Sequence, residues 1–103
     1  MTKKIYKYTI EEPDHGLTIS ISMRRNCQVL SAQYQPATET LCIWAVVDTE
    51  EPVELKTFFI AGTGLPIPDI QNGSLCFIAT VQAPKGNFVW HVFEVTGDWS
   101  IAA

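Results

Sequence analysis

The chain has 103 residues, 47% hydrophobic and 17% charged, with a net charge of −4 and a pI near 4.9. Such a length and apolar content suit one globular domain with one core and exclude a disordered chain. Seven Lys and Arg against eleven Asp and Glu exclude a protein that wraps long DNA or RNA, but allow a small anionic ligand held by two or three cations.

The start, MTKKIYKYTI, has early lysines but no apolar stretch behind them, so it does not read as a signal peptide. From residue 5 the run IYKYTI alternates, with Tyr6, Tyr8 and Ile10 on one face. The turn formers of EEPDHG lead into LTISISM, 17–23, where Leu17, Ile19, Ile21 and Met23 share a face opposite Thr18, Ser20 and Ser22. A hairpin between these two runs is the expectation. QVLSAQYQ, 28–35, reads as a third strand, with Val29, Ser31 and Gln33 opposite Leu30, Ala32 and Tyr34. LCIWAVVD, 41–48, is apolar throughout, as a central strand covered on both faces would be.

DTEEP turns the chain into ELKTFFIA, 54–61. GTGLPIPDIQNGS, 62–74, is the longest irregular stretch; its PDIQNGS part has room for a short helix capped by Asp69. LCFIATVQ, 75–82, and FVWHVFEV, 88–95, complete seven strands around the turn APKGN. The tail from about residue 96, TGDWSIAA, reads as short, flexible and without a partner. No sustained helical period appears, so residues 1–103 are expected to form one all-β domain, an antiparallel sandwich or small barrel.

Cys27, Cys42 and Cys76 are odd in number and lack C-x-x-C spacing, which argues against a disulfide framework or a zinc site. Buried reduced thiols in a cytoplasmic protein are expected, and no metal or cofactor is called for. No run approaches the roughly 18 apolar residues of a membrane span.

The candidate binding residues are few. Gly62, Thr63 and Gly64 resemble a phosphate cradle, since glycines let backbone N–H groups converge on an anion. Pro66 and Pro68 follow where a helix would be needed, and no P-loop lysine is present, so a rigid turn is the preferred reading. Arg24 and Arg25 are adjacent at a strand end, so at most one aims into a given pocket. Trp44 and Trp90 are strand aromatics able to stack on a base or to fill a core. His91 alternates with Trp90, so one faces out if the other faces in, whereas His15 lies in a turn beside Asp14. The acidic cluster Asp48, Glu50, Glu51 and Glu54 reads as a solvated turn. No nucleophile sits in a G-x-S-x-G setting, and catalysis is not required. Trp44 shares a face with Cys42 and Val46, and Trp90 with Phe88 and Val92. Both strands are therefore apolar on two faces, which points to a homo-oligomer.

From Lys4 to about Val95 the chain resembles an uncharacterised family of small phage and prophage proteins, most specifically in LCIWAVVD, GTGLPIP and VWHVFE. It departs from that pattern at Leu65, where the family tends to carry a His, and in its longer IEEPDHG segment. The resemblance implies a viral source and supplies no reaction. With it, the residues suggest a phage accessory protein that sequesters a small nucleotide immune signal in the host cytoplasm. The alternatives are an acidic inhibitor of a host protein and a virion or assembly accessory.

Overall fold

Seven antiparallel strands form two sheets in a computed structural model that describes residues 2–10, 18–83 and 89–101. The strands are β1 (Lys3–Ile10), β2 (Thr18–Arg24), β3 (Gln28–Gln35), β4 (Thr40–Asp48), β5 (Val53–Gly62), β6 (Ile70–Gln82) and β7 (Val89–Ile101). One sheet has the order β1-β4-β3 and the other β2-β5-β7-β6. The arrangement is an open sandwich and not a closed barrel.

Alternation decides which side chains meet between the sheets. On β4, Leu41, Ile43, Ala45 and Val47 are fully buried and face Phe58, Ile60, Val92 and Trp90 of the four-stranded sheet. Each large apolar side chain so buried contributes roughly 1.5–3 kcal/mol. Tyr34 of β3 meets Trp90 across the sandwich with ring centroids 5.7 Å apart. Tyr6, Tyr8 and Ile10 share the inner face of β1, and Ile19, Ile21 and Met23 that of β2, as alternation requires.

The pairing of the first two strands differs from expectation. β1 pairs with β4 and β2 with β5, so they belong to different sheets and form no hairpin. The EEPDHG segment, His15, Phe88 and most of APKGN lie outside the described residues. In β3 the register shifts between Val29 and Ser31, which leaves Leu30 as an exposed bulge. Val29 therefore joins Ala32 and Tyr34 on the inner face, not Ser31 and Gln33 on the outer.

Of the stretch 62–74 expected to be irregular or helical, residues 63–69 are turn and irregular chain, but its last five residues and the tail as far as Ile101 are strand. Residues 70–74 open β6 and pair with the end of β7, Ile70 opposite Ile101 and Gly73 opposite Gly97. No helix is present among the described residues. The resulting hairpin must bend. A straight β7 would carry Ile101 about 37 Å from Trp90, whereas residues 62–70 reach at most about 29 Å. Yet Gly62 is paired with Trp90 and Ile70 with Ile101. The bend falls at the register shift around Asn72 (φ 60°) and at Gly97 (φ 81°). It brings Ile70 and Trp99 onto Phe59, Ala61 and Val95, a second apolar cluster on the outer face of the four-stranded sheet.

At Gly73 the two arms of the hairpin touch. A β-carbon there would lie 2.2 Å from the Thr96 carbonyl oxygen and 2.7 Å from the Trp99 β-carbon. Backbone cannot step aside as a flexible side chain could, so Gly73→Ala is expected to cost about 2 kcal/mol or more. Urea unfolding should show a lower midpoint with an unchanged slope; a midpoint equal to that of the parent protein would mean that the bend tolerates a side chain.

Candidate functional site

The glycine loop and the arginines do not form one site. Arg24 stands opposite Val53 at the start of β5, and Gly62 ends the same strand nine residues later, a separation of about 30 Å along the strand. Of the eight candidates, Gly62, Thr63, Gly64, Trp90 and His91 gather at one end of the sandwich. Arg24 and Arg25 gather at the other, and Trp44 lies on the outer face of the three-stranded sheet. A strand's length is invisible to motif reading, which is why residues paired in expectation are parted in space.

At the glycine end, the Leu65 amide donates to the Gly62 carbonyl at 3.1 Å and closes a turn with Gly64 at φ 81°. The side chain of Thr63 reaches His91, its Oγ1 2.8 Å from Nε2, while Thr80 Oγ1 lies 3.0 Å from Nδ1. A neutral imidazole donates at one ring nitrogen and accepts at the other, and a threonine hydroxyl can answer either. His91 therefore ties the loop to β6 and β7. Trp90 points the other way, is buried in the core against Tyr34, and has no face left for a ligand. The turn reading of GTG is the one that its geometry supports.

The arginine end is more open. Arg24 Nη1 donates to the Glu51 carbonyl at 2.9 Å, and the Arg25 amide to the Pro52 carbonyl at 2.8 Å. The Arg25 side chain makes a long, exposed contact of 3.4 Å with Glu54, which contributes little in water. The acidic run is a turn, with Asp48 Oδ1 accepting from the Glu50 amide at 3.0 Å. Beside it lies a depression of about 230 Å³ lined by Lys3, Arg25, Asn26, Gln28, Val46, Asp48 and Glu51. Cross-strand register puts Lys3 opposite Asp48, Ile5 opposite Val46 and Lys7 opposite Trp44, all on the outer face. Trp44 is half-buried there, and Lys7 reaches over the sheet to Gln35 at 3.1 Å. Sequence reading missed Lys3, Asn26 and Gln28. The alternation of Lys3, Ile5 and Lys7 was visible, but their pairing with β4 was not.

Between the sheets, Lys56 and Glu94 pair at 3.2 Å with side chains 16% and 21% exposed. Burial pushes the nearby Cys27 thiol up, against the opposing pull of the Lys56 ammonium, and burial likewise raises the Tyr8 phenol. The three cysteines are free, but they differ: Cys42 is buried, Cys27 half-buried, and Cys76 exposed, contrary to the expectation of three buried thiols. A thiol reagent near pH 8 should label Cys76 first, Cys27 slowly because burial holds it protonated, and Cys42 only in denaturant. Mass spectrometry of peptides over time checks this order, and labelling of Cys42 at the rate of Cys76 would contradict the packing of β4.

Fold and surface together define a two-sheet antiparallel β-sandwich that carries an open, mixed-charge depression at the edge of its smaller sheet. The chain belongs to the family described as Domain of unknown function (DUF7352), which matches residues 1–101. No curated protein and no solved structure matches it.

Proposed function

We propose that this protein acts by binding, and that it holds a small nucleotide on the outer face of the three-stranded sheet. The observation that carries this reading is the depression where Lys3 and Arg25 converge with Asn26 and Gln28, on the face that also presents Trp44. Two cations and side-chain amides suit a phosphate, and the carboxylates of Asp48 and Glu51 suit ribose hydroxyls. A base lying on Trp44 gains roughly 1–3 kcal/mol from stacking. The depression is smaller than the roughly 300–1,000 Å³ of an enclosed ligand pocket, which suits a phosphate and sugar seated in it with the base outside. Resemblance to small phage proteins supplies the setting: an accessory protein in the host cytoplasm that withdraws a nucleotide immune signal without turning it over. The glycine loop takes no part.

Calorimetric titration with a panel of linear, cyclic and ADP-ribose-type nucleotides tests this. One class should bind at micromolar affinity or better, and Arg25→Ala combined with Lys3→Ala should weaken it at least tenfold. Trp44→Ala should weaken it by a similar factor, whereas Thr63→Val should leave it unchanged. No heat from any nucleotide would end the nucleotide reading.

A second reading rests on the same face. Ile5 is 63% exposed and Leu30 45%, and with Trp44 and Val46 they form an apolar centre rimmed by Lys3, Lys7 and Asp48. That is the anatomy of a protein interface, and it favours an acidic inhibitor seated on a host protein. A stoichiometric partner recovered from host lysate, lost in Trp44→Ala, would select this reading over the first.

A further inference from the structure

We infer that β2 is a self-complementary edge, and that two copies of this chain join there into one continuous eight-stranded sheet. A strand at a sheet edge leaves a row of backbone N–H and C=O groups unpaired, and proteins that stay single blunt such edges with lysine, proline, bulges or short strands. Among the described residues the sandwich has four edges: β1 and β3 in one sheet, β2 and β6 in the other. Three of them carry such a device. β1 has Lys3, Lys4 and Lys7 within its eight residues. β3 is broken by the shift at Leu30 and is followed by Pro36. β6 is broken twice, between Gln71 and Gly73 and between Phe77 and Ala79. β2 has none. Its seven residues pair with β5 in unbroken register, and none before Arg24 is charged or a proline.

The order of residues along β2 identifies the occupant. In an antiparallel pair centred on Ile21, Ile21 meets its own copy, Ile19 meets Met23, Ser20 meets Ser22, and Thr18 meets Arg24. All seven residues are then paired, and the period of two keeps every apolar side chain on the core face. Ile19 and Ile21 are only half-buried on that face, although Met23 beside them is fully buried. A second copy of β2 would cover both isoleucines and extend the core across the seam. On the outer face the seam would be lined by Ser20 and Ser22, both exposed and neither charged. A chain of net charge −4 meets itself most readily where it carries no carboxylate, since like charges directly opposite destabilise a pair.

The joined edge is only about 24 Å long and buries less than the roughly 800 Å² per partner of a standard interface, so the dimer should be reversible. Sedimentation velocity on the full chain across about 1–300 µM should show a monomer–dimer equilibrium with micromolar dissociation. Ser20→Lys/Ser22→Lys sets like charges opposite each other at two places across the seam, at exposed positions where the monomer gives up the Ser20–Thr57 hydroxyl contact of 3.1 Å and no core packing, and should weaken the dimer at least tenfold. Ser20→Lys/Ser22→Glu sets opposite charges there in the same register and should restore association, with a salt dependence that the parent lacks. A parent protein that stays monomeric throughout, a lysine pair without effect, or a Lys/Glu variant as weak as the lysine pair would each overturn the inference. The circular dichroism spectrum of each variant, compared with the parent's, shows that it is folded.

Discussion

The odd-numbered side chains of β4 hold the molecule together. Leu41, Ile43, Ala45 and Val47 are fully buried on one strand, and they are the middle of the apolar layer between the two sheets. β1 and β3 are hydrogen-bonded to β4 and to no other strand. The smaller sheet therefore exists because β4 has an apolar face to bury and two edges to satisfy. Tyr34 reaches Trp90 only because β3 is held in register by β4. Loss of volume in this layer would be felt by both sheets, since cores are close-packed and relax poorly.

Antiparallel geometry also disposes of the chemistry. β5 has Arg24 of β2, Arg25 just after it and the acidic turn near its start, and the glycine loop at its end. Positive groups thus fall among carboxylates, and the backbone donors of the glycine turn fall beside Thr63 and His91, where no Lys or Arg among the described residues makes a hydrogen bond. What the arginine end gains instead is β1. Its Lys3 comes up against Asp48 through the pairing with β4 and turns a solvated turn into a mixed-charge depression on the face that carries Trp44.

Period two was readable wherever the ladder is regular. The inner faces of β1 and β2 follow directly from Tyr6, Tyr8 and Ile10 and from Ile19, Ile21 and Met23. It failed at bulges. One extra residue at Leu30 moves Val29 to the face opposite the one that simple alternation assigns. The irregularities at Asn72, Gly97 and Ile78 scramble the pattern of the long hairpin, so a paired segment passes for loop and tail. Bulges leave no fixed residue signature; they are placed by the curvature that the sheet needs. The positive φ at Asn72 and Gly97 fits those residue types, but only the folded hairpin makes it necessary.

From its amino acids alone, this chain is an all-β domain of seven strands with most of its core faces assigned, because alternation is a local property of an extended backbone. Tertiary structure decided which strands pair, and with that the separation of Gly62 from Arg24, the bend that lays Trp99 on Phe59, and the meeting of Lys3 with Arg25 around one depression. Pairing is a choice among distant partners of similar pattern. It is settled by how the two sheets close over β4, and no single stretch of sequence contains that information.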